Sequence, residues 1–312
     1  MSAYLLRRLW QILPTLVGVI LLVFVLFHLV GGDPATILAG KIPSKEKILA
    51  IRQQLGLDQP WWVQLWIFVR QVVTFDFGRS WSTNEFVSAI ILQKAPVSLT
   101  VMGPVWLLDA IISIPLALWV AYRRGSLTDR AIMAICTAAM SISFLLYVVV
   151  GQYLFGYVRG WFPVMGWSDD VWTNLTVYAP LPVILALMVS IAPSTRLYRS
   201  FIVEETQHDY VRTARAKGAD ERRVMLVHVL RNAAIPIATN LALSLPALFI
   251  GSFLIEYVFS IPGLGREVIQ AVNRSDFPVI KALTVYLAAF TMLVNLLVDL
   301  LYKWLDPRVQ LK

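Results

Sequence analysis

The sequence predicts an all-α integral membrane protein with about six transmembrane helices. Of its 312 residues, 58% are hydrophobic and 15% are charged, whereas a soluble domain carries roughly 25% charged residues. Crossing roughly 30 Å of hydrocarbon at 1.5 Å per residue takes about 20 apolar residues. Six runs meet this requirement: 9–30, 97–120, 131–157, 179–197, 233–255 and 282–302. The first is longer than the roughly 7–15 apolar residues of a signal peptide, so we predict a retained span.

The basic residues predict the orientation of these helices. With the N-terminus in the cytoplasm, 16 of the 27 Lys and Arg lie in cytoplasmic segments, and seven of the other 11 lie in the long stretch 31–96. Long loops are translocated largely regardless of charge, so the stretch 31–96 does not count. Sixteen basic residues then lie in cytoplasmic segments and four in the short external ones. Both termini are therefore predicted to be cytoplasmic. The net charge of +8 follows from this topology, which predicts a lipid bilayer and no nucleic acid as partner.

The external stretch 31–96 is predicted to be a helical insertion. Ser44 can cap a short helix that ends at Gly56, and Pro60 can begin a second helix that reaches about Thr74. The apolar face of this second helix contains Trp61, Trp62, Leu65, Trp66 and Val69. Because Trp is favoured at the membrane–water interface, we expect this helix to lie against the outer leaflet or a partner.

The cytoplasmic segment 199–232, between the fourth and fifth spans, reads as two helices joined by a glycine turn. Residues 207–217 suit a helix that Gly218 can end in a left-handed conformation, and Asp220 can cap the next helix. The predicted apolar face of the helix at 207–217 consists of Tyr210, Val211 and Ala214. The same helix has small residues at Thr213, Ala214 and Ala216, which allow close approach of another protein. On these observations alone, an ordinary solvated loop remains an alternative.

This segment resembles the EAA loop of ABC importer permeases, in the form found in the dipeptide/oligopeptide permease family. The general pattern begins Glu-Ala-Ala six residues before its glycine, where this chain has Arg212, Thr213 and Ala214. That departure from Glu is usual for the peptide branch. The chain is also similar to the first-named of the two permease subunits in such importers. This similarity lies, in chain order, at 7–8, 32–34, 55–60, 76–78, 228–233, Pro236, 256–265, Asn295, Asp299 and 306–308.

The resemblance implies one membrane domain, 1–312, that forms half of the translocation path for di- or oligopeptides in a prokaryotic inner membrane. Its implied partners are a second homologous permease, two cytoplasmic ABC ATPases and an external substrate-binding protein. ATP and Mg²⁺ would be bound by the ATPases, and no cofactor by this chain. Nickel chelates, glutathione and sugars remain alternative substrates. The residues implied to couple the chain to the ATPases are Tyr210, Val211, Arg212, Thr213, Ala214, Arg215, Ala216, Lys217 and Gly218.

Two further features could belong to the transport path. Asp109 lies near the middle of the second span, where a charge costs about 2.5–3.5 kcal/mol on insertion scales. It could line the path or form a packing or partner-interface pair. The external turn after the fifth span could line the outer gate or only shape the chain, and consists of Pro262, Gly263, Leu264 and Gly265.

Two other classes of function fit the sequence less well. A self-sufficient ion-coupled transporter would favour internal repeats and several ionisable residues at the midplane, whereas Asp109 is the one clear case. An intramembrane enzyme would need a nucleophile with its base, paired acids or a metal motif. With Cys136 as its one cysteine and three scattered histidines, the sequence predicts no metal site. It also lacks a Gly-rich phosphate loop followed by Lys and Ser or Thr, so we expect it not to bind ATP.

Overall fold

The computed structural model describes residues 2–29, 34–39, 44–250 and 252–305. Gly32, Asp33 and 306–308 of the family resemblance lie outside these ranges, as does the side chain of Asp299. The helices are α1 (Ser2–Leu29), α2 (Pro34–Ala39), α3 (Lys45–Gln54), α4 (Trp61–Thr74), α5 (Val87–Tyr122), α6 (Leu127–Met140), α7 (Phe144–Gly151), α8 (Val171–Thr173), α9 (Pro180–Glu205), α10 (Asp209–Ala216), α11 (Glu221–Arg223), α12 (Leu230–Ile250), α13 (Phe253–Val258), α14 (Leu264–Asn273) and α15 (Phe277–Leu305). π-Helical turns follow α7, α8 and α11 at Gln152–Val158, Asn174–Tyr178 and Val224–Val229.

The helices support the predicted membrane class. Among the described residues, four helical stretches are long and apolar enough to cross a membrane. They are Val87–Tyr122, Pro180–Glu205, Glu221–Pro246 and Phe277–Val298. A fifth is added if the bent pair of α6 and the helix from Phe144 to Val158 is one span. In the described part of α1, the apolar stretch Leu13–His28 is shorter than these, so the count of six spans stays a prediction.

The predicted third span at 131–157 is not one straight helix. The chain bends by 87° between α6 and α7, at Ser141, Ile142 and Ser143. Ser143 is extended, with a φ of −60° and a ψ of 136°, and this conformation interrupts the helical hydrogen bonds. Serine favours such breaks because its hydroxyl competes for backbone partners, and the Ser141 hydroxyl donates to the Thr137 carbonyl at 2.9 Å.

The predicted fifth span at 233–255 also ends early. Helix α12 stops at Ile250, and Ser252 then begins the separate helix α13. The Ser252 hydroxyl accepts a hydrogen bond from the Ile255 N–H at 3.4 Å, which is the capping contact expected of serine at a helix start. The predicted span 233–255 therefore includes the end of α12 and the first turn of α13.

The helical insertion agrees with the sequence in its local signals. The Ser44 hydroxyl accepts from the Lys47 N–H at 3.2 Å and so caps α3, and Gly56 after this helix has a φ of +65°. Helix α4 follows Pro60 as predicted. Its apolar residues divide between two faces, however. Leu65 and Val69 pack inward, while the three tryptophans stay exposed at Trp61, Trp62 and Trp66.

Three apolar clusters hold the bundle along the length of α5 and α9, which pack side by side. Helix α5 has 36 residues and is therefore about 54 Å long. One cluster joins its start to α1, α4, α14 and α15. A second joins α5 and α9 to α13. The third joins its last turns to the end of α9, to α10 and to α12. We call the two ends of the bundle the α14 end and the α10 end.

Candidate coupling site

The segment predicted to contact the ATPases forms a short helix between two long ones. Helix α10 begins after His208, whose extended backbone starts the helix without a side-chain cap, and Asp209 occupies its first turn. An acidic residue there interacts favourably with the helix dipole. The helix ends at Ala216. The observed helix is therefore shorter than the predicted helix 207–217, by two residues at its start and one at its end.

The turn after α10 depends on a glycine and an ion pair. Gly218 has a φ of +78°, the left-handed conformation predicted for it. The Arg215 guanidinium then bonds both oxygens of Glu221 across the turn, at 3.0 Å from Nε and 2.7 Å from Nη2. This bidentate contact holds the pKa of the Glu221 carboxyl below its usual range. Asp220 stands at the cap position of the next helix, but its side chain makes no capping bond there.

One face of α10 is buried within this chain. Val211 is 0% exposed and Ala214 is 9% exposed, and both belong to the cluster that joins α10 to the ends of α5, α9 and α12. The prediction that Ala214 offers close approach to another protein is therefore wrong. Because the helix is amphipathic and its apolar stripe has a core to cover, that stripe faces inward.

Tyr210 was predicted to share that apolar face, and it does not. It is 37% exposed, and its hydroxyl donates to a Glu205 carboxylate oxygen at 2.5 Å. Partial burial, together with this hydrogen bond to an acceptor, raises the pKa of Tyr210 to about 12. The side chain thereby ties the start of α10 back to the end of α9.

The opposite face of α10 is open and mostly basic. Its exposed residues are Arg212, Thr213, Arg215, Ala216 and Lys217. Within the described part of the chain, the Arg212 guanidinium pairs with Asp209 at 3.5 Å, and that contact leaves both side chains largely solvated. Exposed pairs of this kind contribute little to stability. The face is therefore free for contact with another surface, whereas the buried stripe is already occupied.

Behind the loop lies a cavity of about 370 Å³ between α10, the end of α5 and the beginning of α11. Arg124, Arg212 and Arg215 reach its wall together with Glu221. Three guanidinium groups against one carboxylate give this cavity a positive character. A partner that docks on the open face of α10 would meet a basic surface.

Asp109 is enclosed by hydroxyl groups of its own chain. It is 8% exposed, and its two carboxylate oxygens accept hydrogen bonds from Ser113 at 3.2 Å and from Ser194 at 2.8 Å. Since Ser194 belongs to α9, the carboxylate links α5 to α9 in the middle of the bundle. This geometry favours the packing interpretation of Asp109 over a position on the transport path.

The turn that contains Pro262, Gly263, Leu264 and Gly265 surrounds a buried acid. Glu256 is 0% exposed. One of its oxygens accepts from the Arg266 N–H at 3.0 Å. A Cβ at Gly263 would lie 2.4 Å from this carboxylate, and a Cβ at Gly265 would lie 2.9 Å from the Phe253 backbone nitrogen, so close approach requires glycine at both positions.

The same turn is fastened to α5. The Ser98 hydroxyl accepts from the Leu264 N–H at 2.9 Å, and Gly263, Leu264 and Gly265 are all buried. The turn therefore shapes the chain here, and its residues do not form a free surface within this subunit. Glu256 was not predicted as a site residue, although an acid directly after the apolar run 233–255 and six residues before Pro262 was a visible signal.

Comparison with known proteins agrees with the resemblance found in the sequence. Residues 113–311 match the model of the family described as binding-protein-dependent transport system inner membrane component, and residues 1–102 match the model of its N-terminal region. A glutathione transport system permease protein of Salmonella choleraesuis (strain SC-B67) is 37% identical over 100% of both chains. A protein named as a peptide transport system permease of Brucella abortus (strain 2308) is 34% identical over 99% of both chains.

Proposed function

The chain belongs to the family of binding-protein-dependent transport system inner membrane components, and we propose that α10 couples it to the ATPases of its importer. It is a multi-pass permease of the inner membrane in an ATP-driven import system. The observation that carries the proposal is the division of α10 into a buried stripe and an open basic face. A helix held this way can transmit a displacement from its open face to the bundle.

The route of that displacement follows the packing. Val211 and Ala214 contact the cluster that contains Tyr198 and Ile202 of α9 and Val229 before α12. A displacement of α10 would therefore be transmitted to both α9 and α12, because close-packed interiors transmit strain. Arg215 and Glu221 add a polar connection to the helix that follows.

The partner set we propose is one second permease, two ATPase subunits and an external substrate-binding protein. The relatives are named as components of transport systems, which supports several subunits of ABC type. ATP binding belongs to the ATPases in this proposal, because the sequence has no phosphate loop. Purified chain free of ATPase should show no saturable ATP binding in equilibrium dialysis, and saturable binding would contradict this part of the proposal.

We propose a peptide or peptide-like molecule as substrate. The matched relatives are named for glutathione and for peptides, and glutathione is itself a tripeptide. Uptake competition among labelled glutathione, a dipeptide, a nickel chelate and a sugar would separate the candidates. Competition by the nickel chelate or the sugar alone would contradict a peptide substrate.

The coupling proposal is tested by adding a charge to the open face. Ala216 is exposed and next to Lys217, so Ala216→Glu should leave folding unchanged while it places an acid in the contact with the ATPase. A buried unpaired charge costs about 3–5 kcal/mol, which weakens docking by about a hundredfold or more. The measurement is ATPase recovered with the tagged permease at equal membrane abundance, together with substrate uptake.

The matched control is Ala50→Glu, the same change on an exposed position of α3 in the insertion. It should leave ATPase recovery and uptake normal. If Ala216→Glu also recovered ATPase and transported substrate normally, α10 would not be the coupling helix.

A further inference from the structure

A second cavity, of about 680 Å³, lies at the α14 end of the bundle between α1, α4 and the first turn of α15. Its walls combine aromatic rings with positive charge. The rings are Phe24, Phe27, His28, Phe68, Phe77, Trp81 and Phe277. Arg52, Arg79 and Lys281 also reach the wall, and among the residues that the structure describes no Asp or Glu lines it. The cavity therefore has a positive, partly apolar interior.

Lys281 lies in this wall without a carboxylate partner among the described residues. Its Nζ lies 5.5 Å from the ring centroids of both Phe27 and Phe68, and it forms no ion pair within the described ranges. The Arg79 guanidinium is held at the wall, because it donates to the Asn84 carbonyl at 2.8 Å and lies 4.1 Å from the centroid of the Phe86 ring. The cavity thus presents one ammonium group between two phenyl rings.

A comparison with Lys94 shows what Lys281 lacks. Lys94 lies at the same end of the bundle and bonds Glu267 at 2.7 Å. Two cation–π contacts offset only part of the cost of removing an ammonium group from water. An anion in the cavity would complete the compensation, and the aromatic walls would exclude water from that contact.

We propose that this cavity binds the phosphate group of an anionic membrane phospholipid, with the Lys281 ammonium as its central contact. Ammonium groups bind phosphate as point charges. The aromatic rings of the wall would pack against the glycerol and the first methylenes of the acyl chains. The proposal concerns a lipid site and is independent of the coupling role of α10.

The position of the cavity favours a lipid headgroup. Lys281 lies about one turn after the start of α15, a helix long and apolar enough to cross the membrane. Helix α4, which forms another wall, exposes Trp61, Trp62 and Trp66, and tryptophan concentrates at the level of the headgroups. A soluble phosphate could use the same ammonium contact, so the experiment includes both sources.

The test is retention of phospholipid by the full-length protein in detergent, measured by native mass spectrometry. Phosphatidylglycerol carries a net negative charge and phosphatidylcholine does not. We expect the native protein and Lys281→Arg to retain phosphatidylglycerol, and Lys281→Met to bind it about tenfold more weakly or worse, as the loss of a charged hydrogen bond predicts. The control Lys47→Met removes an exposed lysine of α3 and should change nothing.

Inorganic phosphate added at millimolar concentration distinguishes the two sources. Displacement of phosphatidylglycerol by phosphate would show a phosphate site open to soluble anions, and lack of displacement would show a site that requires the lipid; either supports the ammonium–phosphate contact. Equal retention of both lipids by the native protein and Lys281→Met would overturn the proposal.

Thermal unfolding separates lost binding from lost folding. Without lipid, Lys281→Met should be at least as stable as the native protein, because it removes an uncompensated charge. Phosphatidylglycerol should raise the Tm of the native protein more than that of Lys281→Met at the same lipid concentration. A variant less stable than the native protein without lipid would mean that Lys281 is already paired inside the chain, which would also overturn the proposal.

Discussion

At the scale of single residues, the coupling segment depends on where each side chain of α10 points. Val211 and Ala214 are buried in the chain's own core, whereas Arg212 and Ala216 are exposed. Residues only two positions apart therefore have opposite roles, because a helix turns by 100° per residue. A substitution in this segment tests coupling only on the exposed side.

The first prediction uses this difference. Ala214→Glu should place a carboxylate among apolar side chains and lower the free energy of unfolding by about 3–5 kcal/mol. Ala216→Glu should change it by less than about 0.5 kcal/mol, as is usual for exposed positions. The measurement is thermal unfolding of both purified variants and their abundance in the membrane. Equal stability of the two variants would show that Ala214 is not buried as described.

The second prediction concerns the turn after α10. A Cβ at Gly218 would meet no atom within 4 Å, yet its φ is +78°, so only the backbone conformation limits substitution. Gly218→Val should cost about 1–2 kcal/mol, and Gly218→Asn less, because Asn adopts left-handed conformations more readily. Hydrogen exchange of the α10 amides should accelerate more in the Val variant. Equal exchange in the Val and Asn variants would argue against a backbone effect.

At the scale of helices, α6 is held to α9 by an ion pair between the buried Asp129 and the partly buried Arg199. The Arg199 Nε and Nη2 donate to the two oxygens of Asp129, each at 2.7 Å, and the Gly125 N–H donates to the same carboxylate at 2.9 Å. Asp129 is only 5% exposed. Since α6 is followed by an 87° bend, this contact fixes the direction in which the bent helix leaves the bundle.

The third prediction is that Arg199→Ala destabilises the protein by about 3–5 kcal/mol, because Asp129 is left buried without its cation. Removing both partners in Arg199→Ala with Asp129→Ala should recover part of that loss. The control Arg212→Ala removes an exposed pair and should cost less than about 1 kcal/mol. Thermal unfolding in detergent measures all three, and a double variant less stable than Arg199→Ala would contradict the account.

At the scale of helices, the sequence predicts the caps and turns that depend on neighbouring residues. The Ser44 cap, the end of α3 near Gly56 and the left-handed Gly218 each depend on a few neighbouring residues, and all are present. The bend at 141–143 was missed because the apolar run continues through it. The contact of Asp129 with Arg199 spans 70 residues, and such pairings depend on tertiary packing that no local pattern contains.

At the scale of the whole molecule, the two ends of the bundle differ in the charged and aromatic residues that they carry. The α10 end carries an open basic helix backed by an apolar cluster. The α14 end carries the buried Glu256 and the aromatic cavity with Lys281. The charge distribution predicts that the α10 end is cytoplasmic and the α14 end external. Coupling at one end and delivery of substrate at the other would then act on the same long helices, α5 and α9.

The most direct test of coupling is a cross-link from a single cysteine on α10 in a Cys136→Ser background. In membranes that contain the assembled importer, Ala216→Cys should form an adduct with an ATPase subunit through a short bifunctional reagent. Ala50→Cys should form none, and an impermeant reagent should label it in intact cells. Transport by both proteins at normal rates confirms that the importer is assembled. An ATPase adduct at position 216 and not at position 50 is the predicted result; no adduct at position 216 in an actively transporting complex would contradict the coupling role of α10.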